Sequence, residues 1–178
     1  MVTPAKKICL IGDFAVGKTS LIRQFVDRQF SDQYLSTVGV KLSKKLVNAL
    51  DENGAVQLMI WDIEGSTAFK HIAPSYFQGA AGAILVGDVT RPETLEHLTE
   101  HAQSFLKVNP KSPLIVALNK ADMLDRGQLA QLCGRYNFSH LTQWLATYPT
   151  SAKDGSCVEQ TFQQLATTLI APKKPISA

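Results

Sequence analysis

KICLIGDFAVGKTSLIRQF, residues 7–25, carries the reading of the whole chain. Lys7 to Gly12 is a short, continuous apolar run ending at glycine, the pattern of a buried strand. From Lys18 to Phe30, Leu21, Ile22, Phe25 and Val26 recur on one helical face. Between strand and helix, Gly12-Asp13-Phe14-Ala15-Val16-Gly17-Lys18-Thr19 fits G-x-x-x-x-G-K-[ST] in the strand–turn–helix context that gives this pattern its meaning. The main-chain N–H groups of Gly12, Asp13, Ala15, Val16 and Gly17, with those of Lys18, Thr19 and Ser20 at the helix opening, can cradle phosphates. Lys18 is spaced to reach β- and γ-phosphates, and the Thr19 hydroxyl to bind Mg²⁺.

Outward from this unit the chain alternates. VKLSKKLVNAL (40–50) and AVQLMI (55–60) alternate in polarity, and the turn residues Asp51-Glu52-Asn53-Gly54 lie between them, so the pair reads as an antiparallel hairpin. AGAILVGDV (81–89) and PLIVALN (113–119) are buried strands. Residues 92–108 form one helix opened by Pro92, with Leu95, Leu98, Ala102 and Phe105 aligned. A short helix is expected at 127–134, a last strand at 143–150 and a closing helix at 158–170. The fold class is therefore α/β: a mostly parallel six-stranded sheet with one antiparallel edge strand and helices on both faces. A single domain over residues 1–178 is expected, with 171–178 as a short tail.

Three further motifs fall at the carboxyl ends of strands, where ligands bind in such sheets. Asp62-x-x-Gly65 ends the hairpin: the carboxylate would hold Mg²⁺ through water, and the Gly65 N–H the γ-phosphate. Thr37, in the polar connection 31–37, would complete the Mg²⁺ shell when GTP is present. Asn119-Lys120-Ala121-Asp122 follows a buried strand; Asp122 can accept both N1–H and N2–H₂ of guanine, a donor pair adenine lacks. Asn119 would brace the loop and contact N7. In Ser151-Ala152-Lys153 the Ala152 N–H could donate to guanine O6 while the Lys153 stem covers the base. GTP and GDP are the expected ligands, and an ATP-dependent enzyme is disfavoured by Asn119 and Asp122.

Four motifs in this order, together with STVGV (36–40), Trp61-Asp62 and GDVTRPET (87–94), resemble a Ras-superfamily small GTPase, most like the Rab branch, across residues 6–170. The resemblance implies that Phe30 lies against the guanine edge, and that residues 31–39 and 63–77 are two switch segments ordered by the γ-phosphate. It also implies effector, exchange-factor and activating-protein partners at those segments. Two reactivities follow: a GTPase of low activity, or a GTP-dependent interaction module that does not hydrolyse.

Departures from the family pattern sharpen that choice. Where the family has D-T-A-G-Q-E, this chain has Asp62-Ile63-Glu64-Gly65-Ser66-Thr67. Ser66 replaces the glutamine that orients the attacking water, and its side chain is too short for that task. Glu64 stands close to the γ-phosphate, where a carboxylate could repel phosphate, bind Mg²⁺, act on water as a catalytic group beside Lys18 and Gly65, or make a switch-stabilising hydrogen bond. Phe14 occupies a usually small position and crowds the space where an activating arginine would enter. The end, APKKPISA, has no cysteine after Cys157, so no lipid anchor is expected and membrane recruitment would need a partner, unless the chain is a truncated form.

Composition bounds the rest. Hydrophobic residues are 45% and charged residues 19%, an ordinary globular balance. The net charge of +3, with no Lys/Arg run beyond two, argues against a nucleic-acid surface. Three cysteines without metal spacing fit a reducing compartment, with Cys9 in the core. A cytoplasmic monomer is the expected state. His97 and His101 read as a solvated helix face, His71 as surface and Trp144 as core or near-core. Trp61 is either a partner-facing aromatic or sheet packing, and Tyr76 and Phe77 either anchor an effector or pack inward.

Overall fold

The computed structural model describes residues 3–31, 37–49, 54–65 and 73–171. Strand β1 (Ala5–Ile11) runs into the phosphate loop and helix α1 (Lys18–Asp27). The hairpin follows as β2 (Val40–Asn48) and β3 (Ala55–Ile63), then α2 (Ala73–Phe77) and β4 (Gly82–Asp88). Helices α3 (Pro92–Glu96) and α4 (Leu98–Val108) lead to β5 (Leu114–Asn119), α5 (Arg126–Arg135), β6 (Trp144–Pro149) and α6 (Val158–Ile170). The sheet order is β2-β3-β1-β4-β5-β6. Only the β2–β3 pairing is antiparallel, so the α/β architecture with one antiparallel edge strand holds.

Alternation along β1 divides the core in two. Ile8 and Leu10 join Leu21, Ile22 and Phe25 of α1 and Phe162 and Leu165 of α6 on one face. Cys9 and Ile11 point the other way, toward Phe77, Leu98, Ala102 and Phe105. Every residue of β4 and β5 is buried, as strands covered on both faces require. Phe25 and Phe162 stack with ring centroids 4.0 Å apart, joining α1 to α6. Burial of Cys9 in the second core pushes its thiol up to about 12, which leaves it an inert packing residue.

Two elements depart from expectation. The hairpin's second strand runs on to Ile63, because Val40 pairs with Ile63 and Lys41 with Asp62 while Leu10 pairs Asp62 from the other side. Residues 92–108 are not one helix: a turn at His97 separates α3 from α4. Phe77 packs inward, 2% exposed and edge-on to Phe105 at 5.6 Å. Trp61 is half-buried on the sheet, with Lys7 Nζ 3.7 Å above its ring. Trp144 is also half-buried and donates from Nε1 to Thr147 Oγ1 at 3.2 Å. Of the hairpin turn only Gly54 is described; residues 51–53, Ser66, Thr67 and His71 lie outside the described residues. Among the described residues no helix is long and apolar enough to cross a membrane.

Candidate nucleotide-binding site

The phosphate loop turns through left-handed backbone at Ala15 (φ 61°) and Gly17 (φ 98°). Gly17 has a second constraint: a Cβ there would lie 2.3 Å from Asn119 Nδ2, so no side chain fits. Lys18, 6% exposed, folds back and donates from Nζ to the carbonyls of Gly12 (2.7 Å) and Asp13 (2.8 Å). Burial pushes its ammonium down to about 8, against the pull of Asp62 and Asp13.

Beside it three oxygen side chains converge. Thr19 Oγ1 lies 2.8 Å from Thr37 Oγ1 and donates to Asp62 Oδ2 at 2.5 Å, and Thr37 Oγ1 reaches the same oxygen at 3.3 Å. Asp62 is 1% exposed, and its Oδ1 is the buried side-chain polar atom left without a partner among the described residues. Burial raises its carboxyl above the usual range, despite the Thr19 hydrogen bond and the Lys18 charge. Such an orphaned anionic oxygen calls for a cation. The spacing of the two hydroxyls also suits Mg²⁺, whose neighbouring octahedral ligands lie about 2.9 Å apart.

Gly65 packs on the loop itself: a Cβ would sit 2.4 Å from Gly12 O and from the Asp13 carbonyl carbon. Glu64 is engaged elsewhere. Its N–H donates to Gly39 O at 2.9 Å, and its Oε2 accepts from Gly39 N–H at 2.7 Å. This closed pair of bonds ties the end of β3 to the residue before β2.

At the other end, Asn119 is a brace, 1% exposed: Nδ2 donates to Val16 O at 2.9 Å, and Oδ1 accepts from Ala152 N–H at 3.3 Å. Ser151 Oγ donates to Asp122 Oδ1 at 2.7 Å and orients that carboxylate. Lys120, in left-handed backbone at φ 64°, donates from Nζ to Asp88 Oδ2 at 2.5 Å. A cleft of about 330 Å³ joins the two ends. Ala15, Gly17, Lys18, Thr19 and Ser20 line its floor, Thr37, Glu64 and Gly65 one end, and Phe30, Asn119, Lys120, Asp122, Ala152 and Lys153 the other. Gly12, Asp13, Val16, Asp62 and Ser151 stand behind this lining and hold it. Phe14, 46% exposed, also faces the cleft, as do Arg23 and Met123, which sequence reasoning missed.

Asp88, at the end of β4, was missed too. It is fully buried and gathers Lys120, Thr90 and Arg91, and Arg91 continues from Nη2 to Phe14 O at 2.7 Å. Those bonds hold its carboxyl below the usual range against the opposing effect of burial. The reading of His97 and His101 as a solvated helix face is corrected. His97 Nδ1 lies 2.6 Å from Asp13 Oδ2, and His101 Nε2 2.8 Å from Asp13 Oδ1. Helical spacing showed that the two rings share a face; the partner, 84 and 88 residues away, leaves no local pattern.

A phosphate loop after the central strand of a mostly parallel sheet, with binding loops at the strands' carboxyl edge, defines a P-loop nucleotide-binding protein. Residues 7–171 match the model of the Ras family. The chain is 34% identical over 171 residues to Ras-related protein Rab7 of Drosophila melanogaster, an alignment covering 90% of this chain and 78% of that protein. The chain belongs to the Ras family and is a GTP-binding small GTPase related to Rab.

Proposed function

We propose that this chain is a single-domain switch that holds GTP or GDP with Mg²⁺, hydrolyses GTP slowly, and signals to effectors through residues 31–39 and 63–77. The observation that carries the reading is the convergence of Thr19, Thr37 and Asp62, with Asp62 Oδ1 unpaired, at one end of a cleft whose other end presents Asp122. Thr19 and Thr37 would ligate the metal directly and Asp62 through a water. Bound there, Mg²⁺ supplies charge that neutralises phosphate oxygens. Lys18 adds a buried positive charge, the Gly65 N–H faces the γ-phosphate, and Asp122 reads the guanine N–H pair. The water-orienting role lacks an assigned residue: Ser66 is too short, and Glu64 Oε2 is held by Gly39. That bond also favours the second reading, a GTP-dependent interaction module without significant hydrolysis.

Purification, identification of the bound nucleotide and single-turnover decay of GTP test both. A guanine nucleotide is expected, not displaced by ATP, with phosphate release no faster than about 10⁻⁴ s⁻¹. Rapid release by the isolated protein overturns slow turnover. No decay at all selects the module.

A further inference from the structure

His97 and His101 are absorbed neither by the nucleotide cleft nor by the core. The turn at His97 leaves the two imidazoles one helical turn apart, with His101 N–H bonded to His97 O at 3.0 Å. Each ring takes a different oxygen of Asp13, at 2.6 and 2.8 Å, so the carboxylate is gripped at both ends. The His101 and Asp13 side chains are only 14% and 17% exposed. Among the described residues no group of three or more His, Cys, Asp or Glu side chains is arranged to hold a metal ion, and both rings bond the Asp13 carboxylate directly.

Asp13 transmits that grip. Its carbonyl accepts from Lys18 Nζ, and its peptide is the surface on which Gly65 packs. The next carbonyl, of Phe14, is held by Arg91. A shift of Asp13 therefore moves the buried cation and the seat of the second switch segment together. We infer that His97 and His101 are positioning residues for guanine-nucleotide binding: through Asp13 they fix the first turn of the phosphate loop, more firmly when protonated.

The direction follows from the chemistry of the pair. Imidazole is the side chain that changes charge between about pH 5 and pH 8, and protonation adds the attraction of opposite charges to a hydrogen bond the carboxylate already accepts. Asp13 stays ionised throughout that range: burial raises its carboxyl, but the bonds from His101 and His97 outweigh burial and hold it at about 2. Among the described residues the other charged groups around the pair include Lys18, whose surroundings include Asp62, Glu64 and Arg91, and Glu100, which shares a small cavity of about 70 Å³ with His101, Glu64 and Gly65. Protonated rings also add positive charge on the phosphate side. Acid should therefore tighten nucleotide binding.

The inference rests on the guanine-nucleotide reading of the cleft, and the test separates the two. Affinity for fluorescent GDP is measured from pH 8 to pH 6 in wild type and in H97N/H101Q, whose amides replace Nδ1 and Nε2 with donors that do not titrate. Wild type is expected to gain about three- to tenfold over the variant as pH falls. Equal profiles overturn the inference alone; no GDP binding at any pH overturns the cleft reading with it. If the variant does not fold, histidine NMR titration of the wild type decides. By reciprocal linkage, GDP should raise the His97 and His101 midpoints by about 0.5–1 pH unit summed over the two, and unmoved midpoints overturn the inference.

Discussion

Glu64 spends both its main chain and its carboxylate on one residue, Gly39. Of the four roles expected for this carboxylate, the bond to Gly39 has the form of the hydrogen-bonding one. A group that orients water needs an oxygen aimed at it, and one oxygen of Glu64 is already an acceptor for a backbone N–H. Glu64→Ala should therefore leave single-turnover hydrolysis within about threefold, while amide exchange at Gly39 quickens by about tenfold, the factor for a lost bond of roughly 1.4 kcal/mol to a charged acceptor. Slowing of hydrolysis by ten or more with unchanged GTP affinity would assign Glu64 to the reacting water instead.

At the scale of elements, the strands were legible because their apolar runs are continuous and bounded by glycine or turn residues. The main surprises occurred where tertiary contacts competed with local pattern. Residues 92–108 carry an uninterrupted helical stripe, yet the chain turns at His97, and both α3 and α4 still bury their apolar residues against the same core. The motif marks Asp62 as an expected metal residue, but its pairing with both Lys41 and Leu10 leaves no local pattern, because register is set by neighbouring strands. Helices α1 and α6 meet through the Phe25–Phe162 stack, and α1 carries Lys18 and Thr19 on its first turn. Phe162→Ala should cost about 3–5 kcal/mol in urea denaturation, as large-to-small changes in a packed core do. A loss below 1 kcal/mol would mean that the stack is not a principal tie between these helices.

Across the whole molecule, the site gathers at one edge of the sheet: Gly12 follows β1, Asp62 lies near the end of β3, Asp88 and Asn119 end β4 and β5, and Ser151 follows β6. The four motifs made that edge legible in advance. The bonds between loops were not, since Arg91 to Phe14, Asn119 to Val16 and the histidines to Asp13 join residues far apart in sequence. One such bond bears on global stability. Asp13 sits at about 2, below the ordinary 3.8, so its contribution is complete above pH 4 and is lost as pH falls toward 2. Asp13→Asn should be about 2 kcal/mol less stable than wild type at pH 6, with the gap closing below pH 4 in denaturant titrations. A gap that stays constant would place the energy outside the carboxylate's charge. The contact of Gly17 with Asn119 has its own consequence for substitution. The phosphate loop and the loop after β5 touch with no room for a side chain between them, so a substitution at Gly17 should disturb Asn119 as well as the phosphate loop.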